Sequence, residues 1–185
     1  MNIEIFQQFP IIAAVKDEEN LEKALKSDVS IIFVLFGDIM TLPEIVAKIK
    51  RKEKFAVVHL DFINGLSNHE SVLAYVKIIC RADGIITTKR NLIIPAKKQG
   101  LFSIIRFFSM DNMSIENICL QVQTAKPDMV EVMPALVTKV IEELNRKIDV
   151  PIIAGGLLST RKEVINALAA GAVCVSASNA EVWRL

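Results

Sequence analysis

The chain has 185 residues, 52% of them hydrophobic, and a mean hydropathy of +0.40, enough apolar material for a sizeable core in one domain spanning residues 1–185. Its 22 basic and 21 acidic residues leave a net charge of +1, which excludes a domain coated in basic charge for nucleic acid and leaves room only for a local patch.

A strand-then-helix alternation runs the whole length. Residues 10–15, 30–35, 55–60, 84–87, 102–106, 128–132, 151–154 and 173–176 read as strand cores. Their unbroken apolar character suits a parallel sheet buried on both faces. Between them lie helical stripes such as Ile115, Ile118, Cys119 and Val122, or Val137, Val140, Ile141 and Leu144. Capping boxes mark helix starts at Thr41 to Glu44, with Pro43 in the first turn, at Ser67 to Glu70 and at Thr160 to Glu163.

Strand starts recur about every 23 residues without an internal consensus, so the pattern is a βα array rather than a solenoid. Eight such units predict a compact (β/α)8 TIM barrel, although barrels of this class usually run to about 250 residues and the loops here must be short. A doubly wound open sheet is the alternative. It would favour a glycine-rich turn after the first strand, where Val15-Lys16-Asp17 stands instead.

No apolar run of about 18 residues survives without a charge, and Met1-Asn2-Ile3-Glu4 begins no basic-then-apolar leader, so a cytoplasmic chain that stays out of the membrane is expected. Cys80, Cys119 and Cys174 are odd in number and lie within apolar segments. Buried thiols are expected there, with no disulfide and no metal.

The C-terminal units carry the chemistry. Gly155 and Gly156 follow the seventh strand and lack the Cβ atoms that hold a ligand off the backbone. Ser176-Ala177-Ser178-Asn179 follows the eighth, supplying hydroxyls and opening a short final helix whose positive end adds to the same field. In a parallel barrel, phosphate most often sits on these two loops.

Strand parity adds further candidates at the same end: His59 and Asp61 on the third unit, Thr87 and Lys89 on the fourth with Ile85 as their inward neighbour, Arg106 on the fifth and Glu131 on the sixth. Lys16 joins them after the first strand. Each also has a plain structural reading. The glycines could form an ordinary turn, Ser176 and Ser178 could be loop or cap residues, and His59 could be a satisfied core histidine. Asp61 could cap a helix, and Glu131 with Arg106 could be an internal ion pair. The pairs Lys97-Lys98 and Arg161-Lys162 read by default as solvated helix faces. What favours a site is that the polar positions gather at the end of the barrel where ligands bind.

In this order, the segments Pro10-Ile11-Ile12-Ala13-Ala14-Val15-Lys16, His59-Leu60-Asp61-Phe62-Ile63-Asn64-Gly65-Leu66, Asp83-Gly84-Ile85-Ile86-Thr87-Thr88-Lys89, Ile105-Arg106-Phe107-Phe108 with Asp111, Pro127-Asp128-Met129-Val130-Glu131-Val132-Met133-Pro134, Ala154-Gly155-Gly156-Leu157, and Ser176-Ala177-Ser178 with Trp183 resemble the glycerol-3-phosphate-responsive antiterminator family. The likeness covers nearly the whole chain. It departs at Ala135, where the family usually has glycine, and at Ala177, where it often has threonine. The resemblance implies a glycerol 3-phosphate sensor that acts on leader mRNA, uses no cofactor and is not an enzyme, with a homodimer as one way to assemble an RNA-binding patch. The other class to weigh is a phosphate-binding barrel enzyme, an isomerase, lyase or glycerol-phosphate prenyltransferase, in which Asp61, Glu131 or His59 would do acid–base work.

Overall fold

In the computed structural model, which describes residues 2–109 and 112–185, eight parallel strands close into a barrel in sequence order. They are β1 (Ile11–Val15), β2 (Ile31–Val34), β3 (Phe55–His59), β4 (Gly84–Thr87), β5 (Phe102–Phe108), β6 (Met129–Met133), β7 (Ile152–Gly155) and β8 (Cys174–Ala177), and β8 pairs back onto β1. Asp111, one of the residues that carry the family resemblance, lies outside the described residues. The strand reading thus holds to within a residue or two, and the open-sheet alternative falls.

Alternation along each strand sorts side chains into two shells. Ile12, Ala14, Ile31, Phe33, Val57, Ile86, Ile104, Met129, Ile153 and Cys174 fill the lumen, while their neighbours in sequence pack outward under the helices. Both shells are apolar, which is why the strands read as continuous hydrophobic runs.

The outer layer comprises α2 (Glu18–Lys26), α3 (Leu42–Arg51), α4 (Ser71–Ala74, continuing as a π-helical segment over Tyr75–Ile79), α5 (Ile93–Lys98), α6 (Asn112–Ala125), α7 (Thr138–Lys147) and α8 (Arg161–Ala169). A preceding helix, α1 (Ile3–Gln8), closes the bottom of the barrel. Its Phe6 is fully buried and stacks on Phe102 with ring centroids 5.0 Å apart. Gly84 allows the close approach of β4 to β5 at this level, because a Cβ there would stand 2.6 Å from the Phe102 carbonyl oxygen.

Three local expectations meet different outcomes. The Thr160 capping box forms as expected, with Glu163 N–H donating to Thr160 and the Glu163 carboxylate accepting from the Thr160 N–H. At α3, Asp38 takes over the role given to Thr41, accepting from the N–H groups of Met40 and Thr41 at 2.8 Å each, while Glu44 pairs with Arg51. The Ser67 box does not form. Ser67 accepts from His69 two residues on, a local turn that competes with capping, and the helix starts only at Ser71.

After β8 the chain makes only a three-residue 3₁₀ helix, Val182–Arg184, and Trp183 donates its indole N–H to the Ala177 carbonyl at 2.8 Å. The final helix expected at Ser178-Asn179 is therefore a turn with little dipole of its own. Among the described residues no helix is long and apolar enough to cross a membrane, and no cluster of His, Cys, Asp and Glu could hold a metal. All three cysteines are free, Cys80 and Cys174 buried and Cys119 half-buried.

Candidate functional site at the barrel mouth

A cavity of ≈ 1160 Å³ opens at the C-terminal ends of the strands. Register explains what gathers there. Arg106 pairs with Glu131 across β5 and β6, and Gly155 with Ser176 across β7 and β8, so these four inward positions share one layer near the top of the lumen.

Within that layer Glu131 is fully buried and both its oxygens are engaged. Arg106 donates its Nε–H to one, and the Ser176 hydroxyl donates to the other at 2.5 Å. Gly155 makes this network possible, since a Cβ on it would stand 2.7 Å from both the Glu131 Oε1 and the Ser176 Oγ. Its lack of a side chain thus serves the internal carboxylate rather than a ligand approaching the backbone. Glu131 lies beneath the cavity and holds Arg106 in place, and Arg106 lines the cavity.

Gly156 does border the cavity. It and Leu157 both adopt positive φ, +82° and +62°, which turns the chain sharply outward from β7. Lys16, Ser176 and Ser178 add to a polar wall that also holds Ser109, Lys139 and Glu143. Among the residues expected from sequence, the cavity therefore brings together Lys16, Arg106, Gly156, Ser176 and Ser178.

The others are placed elsewhere. Asp61 sits on a 3₁₀ turn, Leu60–Phe62, and accepts from the Thr87 hydroxyl at 2.9 Å and the Thr88 N–H at 2.6 Å, tying the end of β3 to the end of β4. Thr87 corrects the parity reading. His59 is in register with Ile86, so Ile86 enters the lumen and Ile85 and Thr87 face outward. Two adjacent isoleucines made that choice ambiguous from sequence. Lys89 is exposed and does not border the cavity, and Asn179 accepts from the Glu181 N–H at 3.0 Å as a turn cap.

His59 is fully buried in the lumen, and neither ring nitrogen has a hydrogen-bond partner among the described residues. Burial, reinforced by the Arg106 charge and opposed by Asp61, pushes its pKa down to about 3 from 6.5, so the ring is neutral. The unfolded chain takes up this proton near pH 6.5 and the folded chain does not until about pH 3. Stability from this group is therefore at its plateau above pH 6.5 and falls as pH drops, by about 1.4 kcal/mol per unit at full slope. We expect urea titrations between pH 6.5 and 5 to show that decline in the native protein and a shallower one in His59→Gln. An unchanged slope would show that His59 does not govern it.

Comparison with known proteins now bears on this arrangement. A family model described as glycerol-3-phosphate responsive antiterminator matches residues 11–183. The chain belongs to that family. It is similar to the uncharacterized protein YgcP of Escherichia coli (strain K12), 41% identical over 183 residues that span 99% of this chain and 96% of the relative. Among solved structures it resembles the glycerol uptake operon antiterminator regulatory protein of Listeria monocytogenes str. 4b F2365, with a TM-score of 0.88 and 30% identity over 91% of each chain. A glycerol uptake operon antiterminator-related protein of Thermotoga maritima MSB8 follows, with a TM-score of 0.85 and 32% identity over 95% of this chain and 98% of that one.

The two departures from the family pattern leave the cavity intact. Ala135 is not among the residues with positive φ, and its N–H donates to the Gly155 carbonyl at 2.7 Å. Ala177 faces outward from the barrel, so a hydroxyl there would point away from the lumen. Sequence reasoning missed the apolar wall, including Phe62, Phe108, Met133 and Val140, and also Ser109, whose buried hydroxyl has no partner among the described residues. The signal for Phe108 was present: β5 runs two residues beyond the expected end, and Phe108 shares the inward parity of Arg106.

Proposed function

We propose that this chain senses glycerol 3-phosphate at the barrel mouth and, so loaded, acts in the cytoplasm on leader mRNA to prevent premature termination. The phosphate sits against Arg106 and Lys16, with the Gly156 loop and the hydroxyls of Ser176 and Ser178 around it. The observation that carries this reading is the Arg106–Glu131–Ser176 network. A buried, fully engaged carboxylate fixes one guanidinium edge, so the remaining N–H groups are presented to the cavity without an ordering cost when the anion arrives.

A sensor rather than an enzyme fits the same geometry. Glu131 is occupied by Arg106 and Ser176, Asp61 by Thr87 and Thr88, and His59 does not line the cavity. None of the three is poised to move a substrate proton. A homodimer is one way to enlarge an RNA surface that a net charge of +1 leaves small.

The test is a thermal-shift panel of glycerol 3-phosphate, glycerol 1-phosphate, glycerol, inorganic phosphate and triose phosphates. Glycerol 3-phosphate is expected to lead, with about 2.7 kcal/mol of stabilisation at 100 times its Kd, while phosphate trails and glycerol does little. Triose phosphates that bind best and are turned over would establish the enzyme instead. For the RNA step, glycerol 3-phosphate should tighten binding to a leader hairpin, and RNA should tighten effector binding by the same factor. Removing the exposed charges of Arg161 and Lys162 should lower the salt dependence if they line the patch. Lys97 is a poorer probe, because it already holds Asp128 at 2.9 Å and the Lys126 carbonyl at 2.8 Å.

A further inference from the structure

Behind the cavity wall lies a polar group that the phosphate site does not use. His59 shares the lumen parity of Val57, is fully buried, and has neither ring nitrogen hydrogen-bonded among the described residues. A buried imidazole with no side-chain or backbone hydrogen bond to either nitrogen is uncommon, and the Asp61 carboxylate, 3.9 Å from Nδ1, lies beyond hydrogen-bond reach.

One side chain touches both this histidine and the cavity. Phe62 packs edge-on against His59, with ring centroids 4.4 Å apart and an interplanar angle of 74°. Phe62 lines the cavity and is 50% exposed, whereas His59 does not line it. The Phe62 ring centroid also lies 5.9 Å from the Arg106 guanidinium carbon. The ring thus neighbours both the group that would hold a phosphate and the histidine without hydrogen bonds, and it is carried on a short 3₁₀ turn.

We propose that His59 is a concealed hydroxyl-binding subsite, uncovered when a polyol phosphate ester anchored on Arg106 displaces the Phe62 ring. The inference rests on the proposed effector site and deepens it. A neutral imidazole offers one donor and one acceptor, and an alcohol hydroxyl has both complements, whereas the phosphate group of an ester dianion offers acceptors alone. His59 therefore reads the polyol part of the ligand, and inorganic phosphate, held at Arg106, has no hydroxyl-bearing chain that extends to the subsite. The same step ties occupancy to a change at the rim, since the displaced Phe62 presents a different apolar surface to whatever the loaded protein meets.

The experiment follows the His59 ring nitrogens by NMR in the full chain labelled with ¹⁵N-histidine, together with calorimetric titrations. Saturating glycerol 3-phosphate should shift the His59 nitrogen resonances, and inorganic phosphate or propyl phosphate, which lacks the hydroxyls, should leave them in place. His59→Phe should weaken glycerol 3-phosphate by about tenfold, the loss of one hydrogen bond, and leave phosphate binding unchanged. Phe62→Ala should raise the association rate of glycerol 3-phosphate and remove its saturation at high ligand. Resonances unmoved by saturating glycerol 3-phosphate overturn the subsite in the native protein, whatever the variants do, and leave the effector reading standing. Equal weakening of both ligands in His59→Phe overturns it too. Absence of any saturable glycerol 3-phosphate binding removes the effector reading and the subsite with it.

Discussion

Arg106→Leu is expected to cost about 3–5 kcal/mol of stability and to abolish effector binding, because it leaves Glu131 charged and fully buried beside leucine. The ion pair itself need not be a large source of stability. Desolvating two charges offsets most of their attraction, and the penalty comes from removing one partner alone. Arg106→Leu combined with Glu131→Leu should therefore recover most of the lost stability while leaving binding absent. Urea denaturation separates the single from the double variant, and calorimetry with glycerol 3-phosphate reads the binding. A single variant as stable as the native protein would show that the Arg106–Glu131 pair does not organise the barrel mouth. Retained binding in the double variant would remove Arg106 from the phosphate site.

Gly156→Asp should weaken glycerol 3-phosphate by at least about 100-fold, since a like charge set against a bound anion costs several kcal/mol. Two effects overlap at this position. The φ of +82° penalises any side chain by roughly 1–2 kcal/mol, and a Cβ would meet the Met133 Cε at 2.6 Å, a flexible end that can move aside. Gly156→Ala carries the strain without the charge. It should melt a few degrees lower, like Gly156→Asp, yet bind within about tenfold of the native protein. If Gly156→Asp binds normally, the loop after β7 does not touch the ligand.

The strands were legible because both faces of each are buried, which leaves an apolar run that local composition reveals. The plug helix α1 was not. Its six residues carry one buried side chain, Phe6, and the reason for that burial is Phe102, a contact nearly a hundred positions away in the chain. The capping boxes show the same division. Thr160 and Glu163 need only each other, whereas Thr41 and Ser67 lost their roles to hydrogen bonds accepted by Asp38 and to the local turn at His69.

At the site, residue identity and strand order were enough to place Lys16, Arg106, Gly156, Ser176 and Ser178 at one end of a parallel barrel, because period-two alternation and the direction of the βα unit are local properties of the chain. Which polar groups remain available to a ligand was decided only by register across strands. Pairing Arg106 with Glu131 and Gly155 with Ser176 consumed the carboxylate that composition offered as a ligand acceptor, and gave Gly155 a packing reason in place of a binding one. Pairing His59 with Ile86 turned Thr87 outward and left the histidine in the lumen behind Phe62. A carboxylate's partners and a ring's burial depend on neighbours brought in from other strands, and no window along one strand contains them.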